Sequence, residues 1–173
     1  MITSGIFFKN FKIQKKSPKI KKKLEKFIAE NNSIAQSLKR NYQDFFKKKE
    51  LKKYKSFKNI RVIGMGGSSL GTEAIYDFLK YKVTKNFTFI NNLNPKFKKE
   101  NNKKMLNLIV SKSGNTIETI VNANILIKKK DKNIFITENK KNYLYLLGQK
   151  LKADIIHHNI IIVMNNICFK FLT

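Results

Sequence analysis

The chain has 173 residues, enough for one domain with a buried core, and its formal charge is +26. Of its 37 basic residues only Arg40 and Arg61 are arginine, and because base-reading surfaces favour the arginine fork, the charge predicts only salt-sensitive, non-specific contact with polyanions. A single cysteine, Cys168, excludes an intramolecular disulfide, and no apolar run reaches the ~18 residues that cross a bilayer. We therefore expect a cytoplasmic protein with no signal peptide, no membrane partner and no specific nucleic-acid partner.

Residues 1–58 are expected to form a helical N-terminal segment. Between Pro18 and about Phe57, apolar residues recur at steps of three and four, which is typical of amphipathic helices. Asn31-Asn32 is the expected break, after which Ser33 can cap the next helix. We favour a helical lead-in packed on the core, and a partner-binding helical hairpin remains the alternative.

From Asn59 onward, short apolar strands alternate with helices. Such alternation predicts an α/β fold, a Rossmann-like parallel sheet with helices on both faces, over residues 59–159. The tail over residues 160–173 has no clear period. The predicted strands are 59–65, 87–91, 105–110, 133–137 and 153–157, and the predicted helices are 69–80, a short one after Asn94-Pro95, 116–128 and 140–151.

Small, polar residues follow the third predicted strand, in Ser111-Lys-Ser-Gly-Asn-Thr116, here called the phosphate loop. Ser111, Lys112, Ser113 and Thr116 carry hydroxyl or ammonium donors, and Thr116 opens a helix. A phosphate monoester needs several donors, and a helix N-terminus favours an anion. The alternative is an ordinary N-cap with a flanking lysine.

Glycines follow the first predicted strand, in Gly64-Met-Gly-Gly-Ser-Ser-Leu-Gly71, here called the glycine loop. Glycine lets the backbone turn tightly and approach a ligand, and Ser68 or Ser69 can cap the following helix. The spacing is not that of dinucleotide-binding loops, since Asn91 and Asn92 stand where an acidic residue is needed. A tight turn without a ligand is the alternative.

The phosphate loop is similar to the phosphosugar-binding loop of the sugar isomerase (SIS) domain. Together with the glycine loop and Phe89-Ile-Asn-Asn-Leu-Asn-Pro95, it resembles the glucose-6-phosphate isomerase family in particular. The resemblance implies that Ser111, Ser113, Thr116 and the Lys112 backbone hold the phosphate of a hexose. It also implies that the sugar lies beside Gly67 and Ser68, that Glu118 orients the phosphate loop, and that full-length members are homodimers without a cofactor or a metal.

The family reaction interconverts glucose 6-phosphate and fructose 6-phosphate through an enediolate, in glycolysis and gluconeogenesis. The resemblance implies a glutamate base, a histidine, a late lysine and an arginine in a Gly-Gly-Arg stretch. No Gly-Gly-Arg follows His157-His158-Asn159, so we assign no catalytic residue and leave open whether these residues form an enzyme. We hypothesise a frameshift near Asn159, which translation of the downstream DNA in the other frames tests. The alternative is a non-catalytic SIS-type module that senses a phosphosugar.

Two further groups of titratable residues carry weaker signals. His157 and His158 are adjacent on a strand and therefore point to opposite faces, so we interpret them as strand-end histidines rather than metal ligands. Glu73 and Asp77 share one face of the helix after the glycine loop, and we interpret that face as solvated rather than catalytic.

Overall fold

The computed structural model describes residues 17–30, 51–93 and 104–157. The chain divides into two compact units, Met1–Tyr42 and Gln43–Thr173. In the described residues, no helix is both long and apolar enough to cross a membrane.

In the first unit, helix α1 runs from Pro18 to Ala29. The Ser17 side chain caps it by accepting a hydrogen bond from the Ile20 N–H at 3.5 Å. Proline in the first turn fits because that position has no intrahelical donor bond to lose. The predicted helical start is confirmed, whereas the predicted break and cap at residues 31–33 lie outside the described residues.

In the described residues of the second unit, five strands form one sheet. All are parallel, and their order across the sheet is β2-β1-β3-β4-β5. Each strand lies within about one residue of its predicted position. The strands are β1 (Asn59–Gly64), β2 (Asn86–Ile90), β3 (Met105–Val110), β4 (Lys132–Thr137) and β5 (Asp154–His157).

Three α-helices connect or follow these strands in the described residues: α2 (Leu70–Leu79), α3 (Ile117–Leu126) and α4 (Tyr143–Lys150). Short 3-10 turns lie at Lys52–Tyr54 and Gly66–Ser68. The predicted helix after Asn94-Pro95 and the predicted tail lie outside the described residues.

Helices cover the sheet on both faces. Tyr76 of α2 packs against Phe87 and Phe89 of β2, with ring centroids 5.0 and 5.9 Å apart. Ile90 points the opposite way and packs in the cluster that contains Ala123 of α3. The predicted α/β class, with a parallel sheet between layers of helices, is confirmed.

Arg61 lies in the buried layer between the sheet and α3. Its guanidinium donates to Asn107 Oδ1 at 3.3 Å and to the Leu126 carbonyl at 3.4 Å, and the residue is 8% exposed. One of the two arginines therefore fastens the end of α3 to the sheet.

The amino end of the sheet is tied to the turn at Lys52–Tyr54 through Asp154 of β5. The carboxylate accepts hydrogen bonds from Tyr54 Oη and from Lys53 Nζ at 3.0 Å, and Lys132 Nζ lies 2.6 Å away. Burial alone would raise the pKa of Asp154, but the hydrogen bonds from Lys132, Tyr54 and Lys53 outweigh it and lower the pKa to about 2.

Candidate functional site

The glycine loop and the phosphate loop lie side by side. They follow β1 and β3, which are neighbours in the sheet, with Gly64 paired to Val110. The chain leaves β1 towards β2 on one side and leaves β3 towards β4 on the other. This reversal is a topological switch point, where open parallel sheets bind ligands outside the carboxyl ends of their strands.

Gly64 is where β1 meets the end of β3. A β-carbon there would lie 2.9 Å from the Val110 carbonyl oxygen and 3.3 Å from Ser68 Cβ, so only glycine fits without a shift of the backbone. The Ser69 hydroxyl donates to the Gly64 carbonyl at 3.0 Å. Ser69 occupies the N-cap position of α2, but its side chain makes no cap hydrogen bond, so the predicted capping role is wrong for this hydroxyl.

The turn at Gly66–Ser68 leaves the outer side of the glycine loop open. Gly66 has φ +54, and a β-carbon at Gly66 or Gly67 would meet no described atom within 4 Å. Gly67 is exposed and Ser68 is half-buried. The two residues predicted to face a sugar thus lie where a ligand has access.

Hydrogen bonds of the serine and threonine hydroxyl groups hold the phosphate loop in a closed turn. The buried Ser111 Oγ lies 2.9 Å from Thr116 Oγ1 and accepts from the Gly114 N–H at 3.2 Å. Ser113 Oγ accepts from the Asn115 N–H at 3.2 Å. Gly114 has φ +66, a left-handed conformation that favours glycine. The four predicted phosphate-binding residues are therefore brought together in one turn.

The beginning of α4 braces the phosphate loop from outside. The Leu144 N–H donates to the Gly114 carbonyl at 3.1 Å, and the Tyr143 N–H donates to Asn115 Oδ1 at 3.0 Å.

Asn142 caps α4 by accepting from the Tyr145 N–H at 2.9 Å, and it also donates to Thr137 Oγ1 at 3.0 Å. Sequence reasoning missed this brace, although an asparagine directly before an apolar helix is a recognisable N-cap signal.

Lys112 is held at both its backbone and its side chain. Its carbonyl accepts from the Glu138 N–H at 3.1 Å and from Thr137 Oγ1 at 3.3 Å. Its ammonium lies 3.8 Å from Glu138 Oε1, while Lys140 Nζ lies 3.1 Å from Glu138 Oε2. The Lys112 side chain remains 48% exposed, so it can turn towards an anion in solvent.

The start of α3 adds backbone donors to this loop. Thr116 is the N-cap residue, but its side chain makes no cap hydrogen bond because its hydroxyl lies against Ser111. The first-turn N–H groups therefore lack a side-chain cap, and the helix dipole favours a negative ligand at this end. Together with the exposed Ser113 hydroxyl, the loop has the donor set that a phosphate group requires.

The other titratable residues singled out in the sequence lie apart from this turn. Glu73 is half-buried and accepts from Asn91 Nδ2 at 3.2 Å, whereas Asp77 is exposed, so only Asp77 fits the predicted solvated face. His157 ends β5 with its ring 5.7 Å from that of Tyr145, and His158 lies outside the described residues. The described part of the chain contains no group of three or more His, Cys, Asp or Glu that could hold a metal.

Comparison with protein families matches residues 12–154 to phosphoglucose isomerase. The chain is 39% identical to the glucose-6-phosphate isomerase of Methanocaldococcus jannaschii over 115 residues, which cover 58% of the chain and 28% of the relative. It is 44% identical to that of Borrelia garinii subsp. bavariensis over 86 residues, covering 43% and 16%. The chain thus spans less than a third of the length of these relatives.

Solved structures share the fold at low sequence identity. A hypothetical protein from Thermus thermophilus superposes with a TM-score of 0.64 at 16% identity, covering 88% of this chain and 44% of the other. The tagatose-6-phosphate ketose/aldose isomerase of Escherichia coli gives 0.54 at 19% identity, covering 72% and 39%. The NanR protein of Vibrio vulnificus, complexed with ManNAc-6P, gives 0.50 at 15% identity, covering 73% and 54%. The family match covers most of the chain and includes both loops, and this chain belongs to the phosphoglucose isomerase family.

Proposed function

We propose that the site between β1 and β3 binds a phosphorylated hexose, and that this chain serves the interconversion of glucose 6-phosphate and fructose 6-phosphate. The observation that carries the proposal is the closed turn from Ser111 to Thr116, at an uncapped helix start and beside an open glycine loop. Family membership supports the reaction class, and we place it in the cytoplasm, within glycolysis and gluconeogenesis.

The phosphate group would lie in the phosphate loop. Ser113, Thr116 and the Lys112 backbone supply neutral donors, and the start of α3 supplies oriented N–H groups. Ser111 is buried and shapes the turn by accepting from Gly114. Hydrogen bonds to a charged ligand contribute about 1.5–3 kcal/mol each, so a few of them suffice for measurable affinity.

The sugar would lie towards the glycine loop. Gly67 and Ser68 are accessible there, at the end of the strand next to the phosphate loop. A hexose phosphate can span the ends of adjacent strands, about 5 Å apart. There the sugar hydroxyl groups would meet backbone groups and the hydroxyl of Ser68, which suits substrate binding rather than proton transfer.

Isomerisation also needs a base at C1 and C2 and a cation near the enediolate. Within these 173 residues no arginine follows Arg61 and no glycine follows Gly148, so the family's Gly-Gly-Arg stretch is absent from them. We propose that this 173-residue polypeptide binds the substrate without turning it over. The homodimer expected for full-length members remains a proposal for the whole protein.

Calorimetric titration of the 173-residue chain tests the proposal. Glucose 6-phosphate and fructose 6-phosphate should bind, inorganic phosphate should bind more weakly, and glucose should show no binding. Ser113→Ala with Thr116→Ala should abolish hexose phosphate binding, whereas the matched exposed substitutions Ser56→Ala and Thr84→Ala should leave it unchanged. Unaltered affinity in the Ser113/Thr116 variant would remove the assignment of the phosphate loop.

A second candidate function is a non-catalytic module that senses a phosphosugar. The observation in its favour is that NanR, whose structure holds ManNAc-6P, has the same fold. A preference for an amino sugar phosphate over glucose 6-phosphate in the same titration would favour this candidate. Formation of fructose 6-phosphate by the purified 173-residue chain would instead exclude it and refute the proposed lack of turnover.

A further inference from the structure

The loop after β2 is bonded to both helices that begin at the ligand loops. Asn91 Nδ2 donates to Glu73 Oε2 at 3.2 Å, and Asn122 Nδ2 donates to the Asn92 carbonyl at 3.1 Å. Glu73 lies in the first turn of α2, directly after the glycine loop, and Asn122 lies in α3, which begins at the phosphate loop. Two consecutive asparagines thus link helices on opposite faces of the sheet.

Asn122 is a polar residue on the buried side of α3. It is 2% exposed, and its Oδ1 is buried without a partner among the described residues, as is Oγ1 of Thr119, which is 1% exposed. On the outer side of the same helix, Ile117 and Ile125 are 71% and 61% exposed. Since buried, unpaired polar atoms destabilise a fold, the placement of Asn122 is better explained by the loop that it holds.

We propose that Glu73 and Asn122 are positioning residues that fix the spacing between the glycine loop and the phosphate loop through Asn91 and Asn92. The inference rests on the proposed function, because the spacing matters only to a ligand that spans both loops. A hexose phosphate spans them, with its phosphate in one loop and its sugar beside the other. Inorganic phosphate occupies the phosphate loop alone and does not sense the spacing.

The two ligands therefore separate positioning from general support of the fold. In the 173-residue chain, Asn122→Ala and Glu73→Ala should each raise the Kd for glucose 6-phosphate about tenfold, while the Kd for inorganic phosphate should change about twofold or less. Glu73→Gln should restore near wild-type affinity, because its amide oxygen can still accept from Asn91 Nδ2. Asn86→Ala is the matched control, because this exposed asparagine at the amino end of β2 also donates one side-chain hydrogen bond, to Asn59 Oδ1 at 3.3 Å, but lies at the opposite end of the sheet from both loops; it should change neither Kd.

Each outcome of these titrations supports or contradicts the positioning role. An equal loss of affinity for both ligands, or no change for glucose 6-phosphate, would overturn the positioning role. If Asn122→Ala fails to fold, as judged by circular dichroism, the comparison of Glu73→Ala with Glu73→Gln on the other helix decides alone. A wild-type chain that binds neither ligand would overturn the proposed function and the inference with it, whereas wild-type binding with unselective variants overturns only the inference.

Discussion

Asn142 fills the space that a side chain at Gly114 would need: a β-carbon there would lie 2.0 Å from Asn142 Oδ1. Gly114 also has φ +66, where a β-carbon adds backbone strain. The shape of the phosphate loop therefore depends on Gly114 and on the Asn142 side chain that packs against it.

Gly114→Ala should destabilise the protein by about 1–3 kcal/mol, because it combines the steric overlap with backbone strain. Affinity for inorganic phosphate should fall below detection, since the turn that gathers Ser113 and Thr116 must shift. Urea denaturation and phosphate titration measure the two effects. Gly67→Ala is the control for stability, because its β-carbon would meet no described atom within 4 Å; equal destabilisation by the two alanines would contradict the packing argument.

Asn142→Ala should lower the free energy of unfolding by about 1–2 kcal/mol through loss of the N-cap of α4. Asn142→Asp keeps the oxygen that accepts from the Tyr145 N–H but loses the donor to Thr137 Oγ1. It should therefore retain most of the helix cap and destabilise less. Denaturation of both variants checks the order, and an aspartate that is as destabilising as alanine would show that the Thr137 bond, rather than the cap, dominates.

Glu138→Gln should tighten binding of glucose 6-phosphate about two- to fivefold at low salt, because it removes a negative charge that pairs with Lys112 near the anion. The gain should shrink as ionic strength rises, since salt screens exposed charges. Titration at two salt concentrations measures it. Asp77→Asn changes the net charge equally from an exposed position on α2 and should have a smaller effect; an equal gain would indicate a general charge effect.

Asp154 should make stability depend on pH at the acid end. Its folded pKa is lowered to about 2 from the ordinary value of 3.8, so its contribution is fully present above about pH 4 and is lost as the pH falls towards 2. Solvent screening of the part-exposed carboxylate limits the contribution to about 1 kcal/mol. Urea denaturation between pH 2 and pH 6 should show a smaller fall in stability for Asp154→Asn than for the wild type; parallel curves would contradict the assignment.

The strands of the second unit could be predicted from the sequence because each is a short apolar run with a polar or glycine-rich boundary. β3 was predicted and found at Met105–Val110. The phosphate loop was also predictable as a unit, since its hydroxyl residues lie within six consecutive positions. The meeting of the glycine loop and the phosphate loop at one edge of the sheet was predictable too, because the carboxyl ends of parallel strands share an edge. The direct pairing of β1 with β3 was not, because strand order depends on pairings between distant segments that leave no local signal.

The orientation of α3 could not be predicted from its composition. Its sequence offers two apolar stripes at helical spacing. The stripe of Ile120, Ala123 and Leu126 packs in the core, whereas Ile117, Val121 and Ile125 are exposed. The start of α4 was predicted at residue 140 and lies at Tyr143, because the Asn142 side chain caps the helix there. For α4, the N-cap hydrogen bond rather than the apolar pattern sets the first residue of the helix.

The pairing of β1 with β3 also has a consequence for folding kinetics. The glycine loop and the phosphate loop follow these two strands, yet α2 and β2 lie between them in the chain. Closing that long connection is slower than forming any one helix, because loop entropy is lost before the strand contacts form. A ligand that spans both loops therefore has no complete site until the non-local pairing of the sheet has formed, so binding of glucose 6-phosphate during refolding should report the formation of the sheet rather than of the helices.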